Sequence, residues 1–171
     1  MWSPSRRRGG AGRIAAGLLL LLPAACGYHF PGGGGFPAGI ESVRLEAEPP
    51  DTPLARALET ALRRDDRVRL VTGAEAADAV LQVRGGRPSS RAAAIDPSGV
   101  ATEYEVEVTA DFRLMKAGTA VRSAQGLEVQ RTFPFGAAGS PTADEANKRR
   151  AGRQASEELA RQILSALTSD F

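Results

Sequence analysis

Apolar and polar residues alternate most regularly between residues 104 and 114. Charged or polar residues separate the apolar positions, which are Tyr104, Val106, Val108, Ala110, Phe112 and Leu114. This period of two predicts a strand with one buried face, as in a half-buried antiparallel sheet. Residues 116–119 predict a turn. A second apolar series then predicts a long returning strand, through Val121, Leu127 and Val129 toward Phe133.

The first predicted helix begins at Asp51-Thr52-Pro53, where a capping side chain is followed by a proline suited to the first helical turn. Its apolar positions recur at helical spacing and form one buried stripe, with members Leu54, Leu58, Ala61 and Leu62. We expect the helix to end near Asp65-Asp66, because acidic residues at a helix C-terminus oppose its dipole.

Shorter strands are predicted over residues 39–46, 68–71 and 76–85. The segment 85–99 combines Gly, Pro and Ser with basic residues, and it predicts a mobile loop or a hairpin tip. No internal repeat connects these elements.

The last predicted element is a helix over 142–168, with Thr142 or Asp144 as its N-terminal cap. Its buried ridge has i, i+4 spacing and many small residues: Ala151, Ala155, Leu159, Ile163 and Leu167. Small residues allow close approach, so we expect this helix to lie flat on the sheet. The elements together predict an α+β domain over 40–171, with a largely antiparallel four- to five-stranded sheet and two helices packed on one face.

The N-terminus has the features of an export signal. Four arginines precede an apolar run over 14–25, which is shorter than the roughly 20 residues that span a bilayer. Leu22-Pro23-Ala24-Ala25-Cys26 resembles the lipobox of bacterial lipoproteins, which implies a signal peptide over 1–25 and acylation of Cys26. Ordinary secretion with cleavage after Ala25 is the alternative.

Cleavage changes the charge of the chain. The full chain has 22 basic and 20 acidic residues, a net charge of +2, whereas loss of the four signal-peptide arginines leaves 18 basic residues and a net charge of −2. This balance argues against nucleic acid as a partner. Residues 26–39 contain four consecutive glycines between prolines, so we expect an acylated anchor and a flexible tether. Two or three acyl chains hold a protein firmly at a membrane. By resemblance to lipoprotein sorting, Gly27 favours the outer membrane, with the domain facing the periplasm.

Catalytic signals are weak. With one cysteine and one histidine, the chain lacks the residues for a Cys/His metal cluster, and His29 lies in the tether without a positioned partner. Glu103, Glu105 and Glu107 alternate on one strand face, which a solvated surface explains. We therefore expect no enzyme activity, no cofactor and no metal.

Basic residues suggest binding instead. Arg84, Arg87 and Arg91 lie around the predicted loop after the third strand, and Lys116 and Arg122 lie near the following turn, with Arg113 close by. Arginine binds phosphate through two parallel hydrogen bonds. A phosphorylated glycolipid is therefore the ligand that we predict for this group, and scattered solvating charge is the alternative.

The order of features resembles the lipopolysaccharide-assembly lipoprotein family (LptE, formerly RlpB). The most specific match is the start of the mature chain, Cys26-Gly27-Tyr28-His29-Phe30. The resemblance continues through the helix after Pro53, the strand entry at 77–81, the strand at Tyr104-Glu105-Val106 and the closing helix that ends near Leu167 and Phe171.

This resemblance implies a non-enzymatic plug of the outer-membrane β-barrel LptD, in a 1:1 complex. It also implies assistance to barrel assembly and direct binding of lipopolysaccharide. The family's lipid-contacting residues do not transfer one by one, so the arginines named above rest on their chemistry alone. The alternative is an auxiliary periplasmic lipoprotein of a phospholipid ABC transport system, or a general envelope scaffold.

Overall fold

The computed structural model describes residues 35–73, 75–136 and 140–169. The signal peptide predicted over 1–25, Cys26 and residues 27–34 of the tether lie outside these described residues. Eight elements follow in order: β1 (Ser42–Glu48), α1 (Pro53–Arg63), β2 (Arg69–Val71), β3 (Ala79–Gly85), β4 (Ser89–Ile95), β5 (Ala101–Lys116), β6 (Thr119–Pro134) and α2 (Pro141–Thr168).

The α+β class is confirmed, but the largely antiparallel sheet of four or five strands was a wrong prediction. The sheet is mixed and has six strands, in the order β2-β1-β3-β5-β4, with β6 also paired to β5. β1 runs parallel to both β2 and β3. Parallel neighbours need a crossover connection, and α1 supplies it between β1 and β2.

The loop or hairpin tip predicted over 85–99 was also wrong in part, because Ser89–Ile95 forms β4 and pairs antiparallel with β5. All seven residues of β4 are exposed or half-buried. The strand therefore has no alternation of apolar and polar residues by which it could be predicted from the sequence. The hairpin tip is confined to the residues between Ile95 and Ala101.

β5 has 16 residues and pairs with three strands, β3, β4 and β6. Along one edge it pairs with β3 through residues 110–115 and with β4 through 101–107. β6 pairs along its whole opposite edge. The turn between β5 and β6 contains Ala117 and Gly118, both with positive φ, as a tight hairpin turn requires.

The core lies between the sheet and the two helices. The predicted inward face of β5 is confirmed, since Val106, Val108, Ala110, Phe112 and Leu114 are buried. α1 contributes Leu54, Leu58 and Leu62, and the predicted ridge of α2 is buried from Ala151 to Leu167. The opposite face of the sheet carries polar side chains.

Both predicted helices form, although one predicted cap is wrong. Thr52 caps α1 by accepting a hydrogen bond from the N–H of Ala55 at 3.0 Å, and Pro53 begins the helix. α2 has Ser140 at its N-cap position instead of Thr142 or Asp144. The Asp144 carboxylate instead accepts the N–H of Gly136 at 3.0 Å, so it ties the end of β6 to the first turn of α2.

Two irregularities interrupt the pairing of β6 with β5. The register shifts between Ala110 and Phe112 and again between Leu114 and Met115. At the first shift Gly126 has a φ of 65°, and its N–H donates to the Asp111 carboxylate at 2.7 Å. Bulges bend and twist an edge strand, which hinders pairing with another chain.

Candidate functional site

The predicted basic residues after β3 lie on or beside the open face of the sheet. Arg84 is exposed on this face, and its Nε lies 3.5 Å from a carboxylate oxygen of Glu48 on the neighbouring β1. Arg87 is exposed in the connection from β3 to β4, where it lines a shallow cavity with Pro49 and Pro50. These two cations are accessible to a ligand.

Arg91 is held by acidic neighbours on the sheet. Its Nη2 lies 2.6 Å from Glu105 on the adjacent β5. The hydrogen bond from Arg91 to Glu105 raises the pKa of Arg91, and the charges of Glu105, Glu107 and Glu128 add to this effect. The carboxylates offset much of the positive charge of Arg91. An anion therefore binds more weakly at Arg91 than at an arginine without a carboxylate partner.

Lys116 and Arg122 lie at the other end of β5. Lys116 Nζ donates to the carbonyl oxygen of Ala38 at 2.8 Å, and Arg122 Nη1 donates to the carbonyl oxygen of Val121 at 3.3 Å. Lys116 is eleven positions along β5 from Glu105, the partner of Arg91. At about 3.3 Å per residue the two places are roughly 36 Å apart. The structure therefore does not bring the five predicted cations into one cluster.

A different feature marks the Ala101 end of the sheet. Among the described residues, the large hydrophobic side chains left exposed are Ile95, Val100 and Phe135, at 67%, 57% and 38%. Ile95 pairs with Ala101, Val100 precedes β5, and the N–H of Phe135 donates to the carbonyl oxygen of Thr102 at 3.0 Å. All three therefore lie at one end of the molecule, which we call the apolar end.

Aromatic packing supports the apolar end. The ring of Tyr104 stacks on Phe133 at a centroid distance of 5.9 Å and meets Phe135 at 4.8 Å. Beside these rings lies an open cavity of about 430 Å³, bounded on its other side by the first turns of α2. Exposed apolar surface beside an open cavity is typical of contact with a partner or a lipid.

The beginning of the described chain lies at the opposite end of the sheet. Ala38 contacts Lys116, the last residue of β5, whereas the apolar end adjoins Ala101, the first residue. Fifteen residue steps of about 3.3 Å separate these two ends by roughly 50 Å. A chain held through residues before Ala38 therefore presents its apolar end far from the point where the tether enters the domain.

Sequence analysis missed both the apolar end and a groove between the two helices. Ile95 and Val100 are single apolar residues in a polar segment, and they produce no periodic signal. The groove is lined by Arg56 of α1 and Arg64 at the C-cap of that helix, together with Arg153 and Arg161 of α2. These residues are nearly a hundred positions apart in the chain, so only the packing of the helices brings them together.

Neither a metal site nor a membrane-spanning helix occurs in the described part of the chain. Within residues 35–73, 75–136 and 140–169, no group of three or more His, Cys, Asp or Glu side chains is arranged to hold a metal ion. No helix in the same residues is both long enough and apolar enough to cross a membrane.

Comparison with known proteins identifies relatives over most of the chain. A family model described as LptE, lipopolysaccharide-assembly, matches residues 40–167. The LPS-assembly lipoprotein LptE of Pectobacterium atrosepticum is 27% identical over 156 residues, which cover 89% of this chain and 84% of that protein. The protein of the same name from Yersinia pestis is 29% identical, with coverages of 89% and 74%.

Solved structures share the fold. A lipoprotein B from Nitrosomonas europaea superimposes with a TM-score of 0.61 at 23% identity, covering 83% of this chain and 90% of its own. The rare lipoprotein B from Shewanella oneidensis gives a TM-score of 0.60 at 18% identity, with coverages of 74% and 92%.

Proposed function

The chain belongs to the LptE family of lipopolysaccharide-assembly proteins, and on this premise we propose that it plugs the LptD β-barrel of the outer membrane. In this role it assists assembly of the barrel and binds lipopolysaccharide for insertion into the outer leaflet. The role is contact and guidance without a chemical reaction.

The observation that carries this proposal is the separation between the two ends of the sheet. The tether enters beside Lys116, and the apolar end lies about 50 Å away along β5. This length exceeds the roughly 30 Å of bilayer hydrocarbon. A domain tethered at one end can therefore extend through a barrel and place its apolar end near the far leaflet.

Acyl chains at Cys26 would hold the protein at the inner leaflet of the outer membrane, facing the periplasm. Metabolic labelling with palmitate tests this anchor, and a Cys26→Ser chain is the control. We expect label in the wild-type membrane fraction and none in the variant. An unlabelled wild-type protein that is free in periplasmic extract would contradict the anchor.

Isolation of the acylated protein from outer membranes tests the barrel partner. We expect one LptD-type barrel for each copy of this chain, in a complex that survives nonionic detergent, as a large interlocked interface would. Recovery of an inner-membrane ABC permease without a barrel would instead support the phospholipid-transport alternative. Recovery of several unrelated envelope proteins would support a general scaffold.

For lipopolysaccharide contact, the proposal retains Arg84, Arg87 and Arg91 from β3, β4 and their connection, together with Lys116 and Arg122 near the turn between β5 and β6. Replacing the first three together with glutamine should weaken lipopolysaccharide binding in a salt-sensitive manner. Thermal unfolding should change little, because exposed ion pairs contribute only about 0–1 kcal/mol. Unchanged affinity for lipopolysaccharide would show that these arginines are solvated surface charges that do not contact it.

A further inference from the structure

A groove between α1 and α2 has the composition of an anion site. It has a volume of about 540 Å³ and is lined by residues of both helices. Its lining includes the small side chains of Ala57, Ala61 and Ala160, which keep the groove open. Arg56 and Arg64 line it from one helix, and Arg153 and Arg161 line it from the other.

The charges in this groove are not balanced. Of the described residues that line it, Glu157 is the one carboxylate. Within the described chain Arg161 pairs with Glu158, whereas Arg56, Arg64 and Arg153 form no ion pair with a carboxylate. A cleft lined mainly by charges of one sign concentrates counter-ions. We therefore expect an anion to bind more tightly in this groove than on a surface of mixed charge.

The spacing of the arginines sets the size of the ligand. Arg56 in α1 and Arg64 at its C-cap are eight residues apart, a rise of about 12 Å, and Arg153 and Arg161 have the same separation along α2. One phosphate group cannot contact both ends of a groove of this length. Two phosphate groups on a common carbon framework can reach both ends of the groove and form paired hydrogen bonds with Arg56, Arg64 and Arg153, which have no carboxylate partner in the described chain.

We propose that the α1–α2 groove is a binding site for an anion that carries two phosphate groups, such as a phosphorylated saccharide headgroup. The site is separate from the arginines on the open face of the sheet. The inference rests on the proposed function only in naming lipopolysaccharide, which carries phosphates on its sugars, as the source of this anion. A small molecule with two phosphate groups has the same chemistry and could occupy the same site.

The test compares two charge-matched variants of the full acylated chain in nonionic detergent. Arg56→Gln with Arg153→Gln removes two groove cations. Arg63→Gln with Arg150→Gln removes one exposed cation from each helix outside the groove. The probes are lipopolysaccharide, its enzymatically dephosphorylated form, fructose 1,6-bisphosphate and a hexaglutamate peptide. Binding is measured by calorimetry at low and high salt.

We expect the groove variant to bind lipopolysaccharide roughly tenfold more weakly or worse, because charge-assisted hydrogen bonds are lost. The control variant should bind within about twofold of wild type, and both variants should keep the wild-type melting temperature. Dephosphorylated lipopolysaccharide should bind wild type and groove variant equally.

The other outcomes distinguish the site from the ligand assigned to it. Equal lipopolysaccharide affinity in the groove variant and wild type overturns the groove site and leaves the proposed function standing. Groove-dependent binding of fructose 1,6-bisphosphate without lipopolysaccharide binding supports the site and contradicts the proposed ligand. Tighter groove-dependent binding of the hexaglutamate peptide than of fructose 1,6-bisphosphate overturns the phosphate assignment and indicates an acidic protein segment. Binding of none of these probes overturns the site.

Discussion

Asp78 is a residue whose side chain joins two parts of the chain that are distant in sequence. Its Oδ2 accepts hydrogen bonds from the N–H of Glu41 at 3.1 Å, from the N–H of Ser42 at 2.8 Å and from the Ser42 hydroxyl at 2.7 Å. The Ser42 hydroxyl in turn accepts the N–H of Asp78 at 3.1 Å. These bonds fix the start of β1 beside the start of β3, and Ser42 is buried.

The same bonds predict a pH dependence of stability. The Ser42 hydroxyl, followed by the N–H groups of Glu41 and Ser42, lowers the pKa of Asp78 below its ordinary value of 3.8. A lowered folded-state pKa stabilises the fold above the unfolded pKa, and this stabilisation is lost as the pH falls through the folded-state pKa.

Asp78→Ala should therefore melt below wild type at neutral pH, and the gap should narrow below about pH 4. Melting followed by circular dichroism between neutral and acidic pH measures this gap, and Asp66→Ala at an exposed site is the control. A gap that does not depend on pH would contradict a role for the ionised carboxylate.

Individual arginines also show which features of the site could not be predicted from the sequence. Arg91 was predicted to contact phosphate because of its residue type, and in the structure its guanidinium pairs with the Glu105 carboxylate. That pairing depends on the register between β4 and β5, and β4 itself had no signal in the sequence. Arg56 and Arg153 occupy ordinary solvated positions in the pattern of each helix, and only the packing of the two helices places them in one groove.

At the scale of elements, the connection between β3 and β4 changes the direction of the sheet. Gly85 and Gly86 both have positive φ, 100° and 82°. A Cβ added at Gly86 would lie 2.7 Å from the Cβ of the buried Leu54, so this turn packs directly on α1. Through this bend, β3 and β4 pair with successive parts of the same edge of β5.

Gly86→Ala should lower the free energy of unfolding by about 2 kcal/mol or more, from left-handed backbone strain and the clash with Leu54. Gly99→Ala is a matched control, because Gly99 has a similar φ of 85° but open space around its Cβ position. Urea unfolding of both variants separates the two contributions. Equal losses in both would show that contact with Leu54 is unimportant.

The elements that sequence analysis found are those with one buried face. α1, α2, β5 and β6 each repeat apolar residues at the period of their structure, and Thr52-Pro53 is a strong start signal for α1. β4 was missed because both of its faces lack a buried apolar series. The parallel pairing of β1 with β2 and β3 was missed because a period of two does not encode strand direction.

At the scale of the whole molecule, the apolar end is the feature with the clearest consequence for assembly. We consider a variant in which Ile95, Val100 and Phe135 are all replaced with serine. Because Ile95 and Val100 are mostly exposed, their replacement should change the free energy of unfolding by less than about 1 kcal/mol. Phe135 should add somewhat more, because its ring packs on Tyr104.

The triple variant removes the apolar contact surface at this end. Compared with the wild type, it should therefore co-isolate with much less of the barrel or bind lipopolysaccharide much more weakly. Thr119→Ser with Ala120→Ser, at the opposite end of the hairpin, is the matched control and should retain both. Full retention by the triple variant would show that the apolar end is not a contact surface.

The position of β5 has a consequence for the order in which the chain becomes stable during export. A nascent chain that emerges from its N-terminus delivers β1, α1, β2 and β3 first, and these bury little until β5 and α2 arrive from the last 71 residues. Leu81 and Val83 therefore lack their β5 neighbours until β5 has emerged. We expect a chain that ends before Ala101 to be cleaved much faster than the full chain in limited proteolysis, because its core is incomplete.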